Sequence, residues 1–116
     1  MECAVRYSLQ QVSDRLEIED LIADYADAID QGDIDALDNI FTPDAAIDYS
    51  AMGGAKGGYP EVKVFLKKSL PAFKNTQHLI ANYQIKLDGD RATGKIMCFN
   101  PMQLAGDIPV FFLGLW

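Results

Sequence analysis

Apolar residues recur at three- and four-residue intervals through the early part of the chain. Ile18, Leu21, Ile22, Tyr25 and Ile29 form one stripe, which predicts a helix over residues 13–31. Ser13 is its predicted N-cap, Asp14 and Glu17 lie near its positive end, and Gly32 supplies a left-handed stop. A shorter helix is predicted next, capped by Asp33, with Ile34, Leu37, Ile40 and Phe41 facing inward. Thr42-Pro43-Asp44 breaks it and leads into a short strand over residues 45–49. Residues 50–58 hold four glycines and read as a mobile loop. Pro60 suits the first turn of a third helix, because its missing N–H would be unpaired there anyway. Val62, Phe65, Leu66 and Leu70 give that helix its buried face, and Pro71 helps to end it.

From there the period changes to two. Residues 78–87 alternate as a long strand, Asp88-Gly89-Asp90 is a hairpin turn, and residues 91–100 return as the partner. Pro101 is expected to interrupt that strand. Gly106-Asp107 marks another turn before a last strand at residues 110–113. Helices first and antiparallel strands afterwards make an α+β pattern. The expected architecture is a cone-like curved antiparallel sheet packed on three N-terminal helices. Such an arrangement leaves a conical apolar cavity suited to a small ligand.

Composition narrows the possibilities. The 116 residues are 49% hydrophobic, enough for one domain with a modest core. Residues 1–12 are set apart as an N-terminal extension and residues 13–116 as the single domain. The net charge is −7, and basic residues cluster only at Lys67-Lys68. That balance argues against a nucleic-acid groove and against an anionic membrane surface. No apolar run is long enough to span a bilayer, and residues 1–11 lack the pattern of a signal peptide. Cys3 and Cys98 are too few and too far apart for a zinc site or a redox motif, so a reduced cytoplasmic protein is expected. One histidine and scattered carboxylates offer no metal-ligand spacing, and no cofactor is expected. The Gly53-Gly54-Ala55-Lys56-Gly57-Gly58 run lacks the order of a phosphate loop; a flexible lid over the cavity is the better reading.

Two residues stand out for chemistry. His78 is the only histidine and sits where a strand begins, in Thr76-Gln77-His78-Leu79-Ile80. Asp30 ends the first helical stretch, just before Gly32. A carboxylate that orients an imidazole makes a usable general base near neutral pH. Strict alternation would set His78 on one face with Ile80, Asn82 and Gln84, and that mixed face is the one expected to meet a ligand. Tyr25, Phe65, Ile80, Asn82, Cys98 and Met102 are assigned to the cavity wall, with Tyr59, Tyr83, Phe73, Phe99 and Met97 as further candidates. Plain readings compete: a histidine tied by an ordinary hydrogen bond, a solvated aspartate, and aromatics and a cysteine that simply pack.

Several segments together resemble a known family. They are Asp14-Arg15-Leu16 through Asp30, Gly32-Asp33, Phe41-Thr42-Pro43-Asp44-Ala45, Ile47-Asp48-Tyr49, Thr76-Gln77-His78 and Asp88-Gly89-Asp90-Arg91-Ala92. Their order and spacing resemble the SnoaL-like branch of the nuclear transport factor two-like superfamily. Within it the chain is most similar to the scytalone dehydratase and lindane dehydrochlorinase groups. The resemblance implies that Asp30 and His78 form a catalytic pair, and that Tyr49 helps to polarise a substrate carbonyl.

Departures from the pattern are equally informative. The tyrosine that precedes the aspartate in scytalone dehydratase is Ile29 here, and its second active-site histidine is Met102. Its later serine and asparagine fall on Phe111 and Leu113. A more apolar substrate than scytalone is therefore implied. The leading expectation is a cofactor-independent lyase or isomerase for a small apolar cyclic molecule. The alternatives are a non-catalytic ligand-binding domain and a structural subunit of the same fold. Family members usually continue past the equivalent of Leu115-Trp116, so the last strand is expected to be missing. Either the chain is a fragment or a partner covers that apolar edge, which points toward a homo-oligomer, a dimer or trimer.

Overall fold

The computed structural model describes residues 4–104, 106 and 111–115, the last five as backbone only. Helix α1 spans Leu9–Gln31. Its cap is Ser8, not Ser13. The Ser8 side chain accepts from the Gln11 N–H at 3.1 Å, and Gln11 Oε1 accepts from the Ser8 N–H at 2.8 Å. This reciprocal capping box extends the helix upstream of its apolar stripe, so residues 9–12 belong to α1 rather than to an extension. Leu9 and Val12 on that added turn are exposed, as is Leu16 beyond it. Gly32 closes the helix at φ 72°, donating to the Ala28 and Ile29 carbonyls.

A 3-10 turn, Ile34–Asn39, follows with Asp33 as its cap. Strand β1 (Ala46–Asp48) pairs antiparallel with β2 (Lys56–Gly58). The segment read as a loop is thus a hairpin. A second 3-10 turn, Ser50–Met52, fills its end, and Gly54 returns an N–H to the Tyr49 carbonyl at 2.9 Å. A Cβ on Gly54 would lie 2.6 Å from the Cβ of Tyr49, so only glycine allows this approach. Helix α2 spans Tyr59–Ser69 with Pro60 in its first turn, and a third 3-10 turn covers Leu70–Ala72.

Strands β3 (Phe73–Thr76), β4 (Leu79–Asp88), β5 (Arg91–Leu104) and β6 (Phe111–Leu115) form a four-stranded antiparallel sheet. Phe99 pairs with both Leu79 and Leu115, and Met102 with both Thr76 and Phe112, so β3 and β4 share one edge of β5 while β6 takes the other. The pattern had no β3, a short polar strand that exists only through pairing with distant β5. Nor does Pro101 end β5. It lacks an N–H, but its carbonyl still accepts from Gln77 at 3.1 Å, and the strand runs on to Leu104.

The core lies between the C-terminal half of α1, the first 3-10 turn, β1 and α2. It comprises Ala28, Ile29, Ile34, Leu37, Ile47, Tyr59, Val62 and Leu66, with Leu37 and Val62 at 0% exposure. The apolar spacing supplied Ile29, Ile34 and Leu37 from residues 18–41 and Val62 and Leu66 from the third predicted helix, whereas Leu21 on the same stripe is exposed. On α2, Lys63 bridges Asp35 and Asp38 at 2.9 and 2.8 Å, and Lys67 reaches Asp35 at 2.7 Å. These are exposed pairs and add little beside the apolar burial. Leu37→Ala is expected to cost about 2–5 kcal/mol, a fall in Tm on the order of 10 °C in a thermal melt.

One irregularity decides which side chains face inward. Ala81 pairs with Met97 and Gln84 with Lys95, so two β4 residues oppose Ile96 alone. Asn82 takes up the extra residue at φ 53°, a bulge in the left-handed region. Beyond it the alternation is inverted. Ile80 faces inward before the bulge, and Tyr83, Ile85 and Leu87 do so after it. Asn82 and Gln84, expected on the ligand face beside His78, are exposed instead. Phe99 and Met97, candidate wall residues, are likewise exposed on the outer face of β5.

Candidate active site

Asp30 sits in the last turn of α1 and His78 at the entry to β4, where α1 packs across β3 and β4. The His78 Nδ1 and Asp30 Oδ1 are 2.7 Å apart. The same carboxylate accepts from the His78 backbone N–H at 2.8 Å through Oδ2, and from the Thr76 hydroxyl at 2.8 Å through Oδ1. An aspartate at a helix C-terminus faces the negative end of the dipole, at a cost of about 0.3–1 kcal/mol. Hydrogen bonds to a charged acceptor contribute about 1.5–3 kcal/mol each, so three donors offset that cost. The imidazole is almost completely buried, at 2% exposure, against 22% for the carboxylate. With Nδ1 held as the donor to Asp30, the ring's basic lone pair lies on Nε2.

The edge of the Tyr25 ring meets His78 at 6.1 Å between centroids and 82° between planes. Its hydroxyl lies 2.7 Å from that of Tyr49. Burial, reinforced by the neighbouring Tyr49, pushes the Tyr25 phenol above its ordinary range. Burial also raises Tyr49, although the hydrogen bond from Tyr25 pulls the other way. Both stay neutral phenols near pH 7 and keep their O–H protons. Ile29, next to Asp30, belongs to the core. Tyr25, one helical turn earlier, is the residue that meets Tyr49.

These groups border a cavity of about 240 Å³. Its apolar wall includes Ile29, Met52, Phe65, Leu66, Phe73 and Met102; its polar points are Tyr25, Tyr49, Ser69, His78 and Asn100. An apolar void of about 150 Å³ accommodates benzene, so this one has room for a single substituted ring. Met52, Gly53 and Gly54 carry the β1–β2 hairpin end over it. A second depression of about 440 Å³ also borders Asp30, lined by Gln31, Asp33, Lys67, Lys74 and Thr76 among others. His78 does not border it, so the inner cavity is where imidazole chemistry can take place.

Of the residues expected at the wall, Tyr25, Phe65 and Met102 border the cavity. Ile80 and Cys98 pair across β4 and β5 and turn inward without reaching it. Burial, then the Asp30 charge, raises the Cys98 thiol above its usual range, which keeps it protonated and suited to packing. Cys3 lies outside the described residues. Thr76 and Asn100 were not singled out. Thr76 could have been found from its place two residues before His78, and Asn100 as the polar member of the inward row Cys98, Asn100, Met102. Among the described residues, no three His, Cys, Asp or Glu side chains converge as a cation site, and no helix is long and apolar enough to cross a membrane.

An α+β chain with helices packed on an antiparallel sheet, and an Asp–His pair against a small apolar cavity, has the nuclear transport factor two-like fold. The SnoaL-like domain model matches residues 10–115, and the chain belongs to that family. Uncharacterized proteins of Mycobacterium tuberculosis and Mycobacterium bovis are 49% identical over 110 residues, which cover 94% of this chain and 75% of theirs. The crystal structure of the Kfla4162 protein from Kribbella flavida matches with a TM-score of 0.78 at 30% identity, over 89% of this chain and 75% of that one. A candidate aromatic ring hydroxylase from Novosphingobium aromaticivorans matches at 0.75 and 27% identity, over 90% and 70%. A candidate scytalone dehydratase from the same organism shares the fold at 0.69 and 21% identity, over 90% and 70%.

Proposed function

We propose that this protein is a cofactor-independent lyase or isomerase acting on a small, mostly apolar cyclic substrate. The observation that carries the reading is the His78–Asp30 contact at 2.7 Å, with the buried imidazole bordering the cavity. A site that merely bound an apolar ring would have no need of a carboxylate locked onto Nδ1 by two further donors. Membership of the SnoaL-like family supports the same reading. The name of the Novosphingobium ring-hydroxylase neighbour also implies ring compounds as ligands in this fold.

In the proposed reaction His78 Nε2 removes a proton from a carbon beside a carbonyl. Asp30 holds the tautomer and stabilises the imidazolium that forms; Thr76 steadies Asp30. The electron pair of the broken C–H bond moves onto the carbonyl oxygen, giving an enolate. A ligand oxygen set beside the tyrosine pair would accept a phenol O–H as that charge develops. Expulsion of a leaving group from the next carbon then yields an alkene, and return of the proton at another carbon yields an isomer.

Proton exchange tests the first step without knowledge of the natural substrate. Cyclohexanone, 1-tetralone and 2-tetralone would be incubated in D₂O and followed by proton NMR. The expected result is α-proton loss above the buffer rate with the parent protein and none with His78→Gln. Equal exchange by both proteins would sink the mechanism, and no exchange by either would favour a binding role. Tyr49→Phe removes one of the two phenols and leaves Tyr25 in place. It is expected to lower kcat/KM for exchange by about 10–100-fold, less than the loss of a sole oxyanion donor.

A further inference from the structure

Asn100 is a buried polar side chain of the cavity wall that the reaction above does not use. It is 3% exposed, and its amide oxygen has no hydrogen-bond partner among the described residues. It stands on β5 between Cys98 and Met102 on the inward face, and it borders the same cavity as Phe65 and His78. A buried amide oxygen without a donor is a cost to the ligand-free protein. Such a cost is recovered when a bound molecule brings the donor, and that is how a mostly apolar pocket fixes the orientation of its ligand.

From this we infer that Asn100 is a specificity-determining residue that accepts a hydrogen bond from a hydroxyl on the ligand ring. The inference rests on the cavity being the substrate site and deepens that reading. The ligand is then a small ring with two polar ends. Its carbonyl lies toward the Tyr25–Tyr49 pair and its hydroxyl toward Asn100, with apolar carbon against Phe65, Leu66 and Met102. A neutral hydroxyl suits walls that are otherwise apolar. Selection should be strong, because a ring lacking the hydroxyl leaves the Asn100 oxygen buried and unpaired.

The probes are acetophenone and its 3-hydroxy and 4-hydroxy derivatives, with affinities measured by calorimetry. At least one hydroxylated ring is expected to bind the parent protein 10-fold or more tightly than acetophenone. Asn100→Leu and Asn100→Ala should bring the three within about twofold of one another, with the ligand-free Tm unchanged or raised for the leucine variant. The inference is overturned if the preference survives both substitutions, if the parent shows none, or if none of the three rings binds. It is also overturned if 1,3-diacetylbenzene outcompetes the hydroxylated rings, since an acceptor would then be what Asn100 selects. A large Tm loss in both variants would mean that the oxygen is engaged within the protein. Running the exchange assay alongside separates the two ideas. Exchange that depends on His78 without a hydroxyl preference removes only the Asn100 role, while an Asn100-dependent preference without His78-dependent exchange removes only the catalysis.

Discussion

His78→Gln is expected to lower the rate of α-proton exchange by about 10²–10⁴-fold, the range a positioned general base supplies. Binding of the ring ketones should change little. Glutamine is close to histidine in size, and the backbone N–H of residue 78 and the Thr76 hydroxyl still donate to Asp30, so the helix-to-strand contact survives. What is lost is the imidazole, the group that the proposed reaction uses as its base. A combined fall in rate with near-constant affinity and Tm would mark His78 as acting on the reaction itself. A large Tm loss with proportionate loss of rate would instead mark it as structural.

Asp30→Asn is expected to be almost as damaging, up to about 10⁴-fold, as when a triad aspartate becomes its amide. The reason lies in the donor count. Asp30 accepts from His78 Nδ1, the His78 backbone N–H and the Thr76 hydroxyl. Asparagine keeps one acceptor oxygen and adds an NH₂ that cannot accept. If that NH₂ meets Nδ1, the ring proton moves to Nε2 and the base is lost. If the oxygen meets Nδ1, the backbone N–H of His78 faces a donor. A buried donor without a partner costs about 1–3 kcal/mol, so a modest Tm loss should accompany the kinetic one. Exchange within tenfold of the parent rate would show that the carboxylate does not tune His78.

The dyad was legible in the sequence because each member carries a local signal. His78 is the only histidine and opens a strand; Asp30 sits one residue from a helix-stopping Gly-containing turn. Ser8 was also legible, through Ser8-Leu9-Gln10-Gln11, but the apolar stripe begins later and drew the helix start to Ser13. Asn82 was misplaced by a different cause. Strict alternation puts it beside His78, whereas the bulge absorbs one residue and reverses every side chain beyond it. No local pattern announces such a bulge, because it arises where β4 must match β5 along its length.

By itself, the sequence determined the helices, the Asp88–Arg91 hairpin, the α+β order and the centre of the core, and it singled out Asp30 and His78. These follow from spacing along the chain, where side-chain period and turn chemistry act over a few residues. Only the tertiary structure decided that Tyr25 meets Tyr49, that Thr76 braces Asp30, that β5 runs through Pro101 to support β3, and that Asn100 rather than Asn82 borders the cavity. Each of those depends on contacts between segments far apart in sequence, where register and a single extra residue choose which side chains share a face.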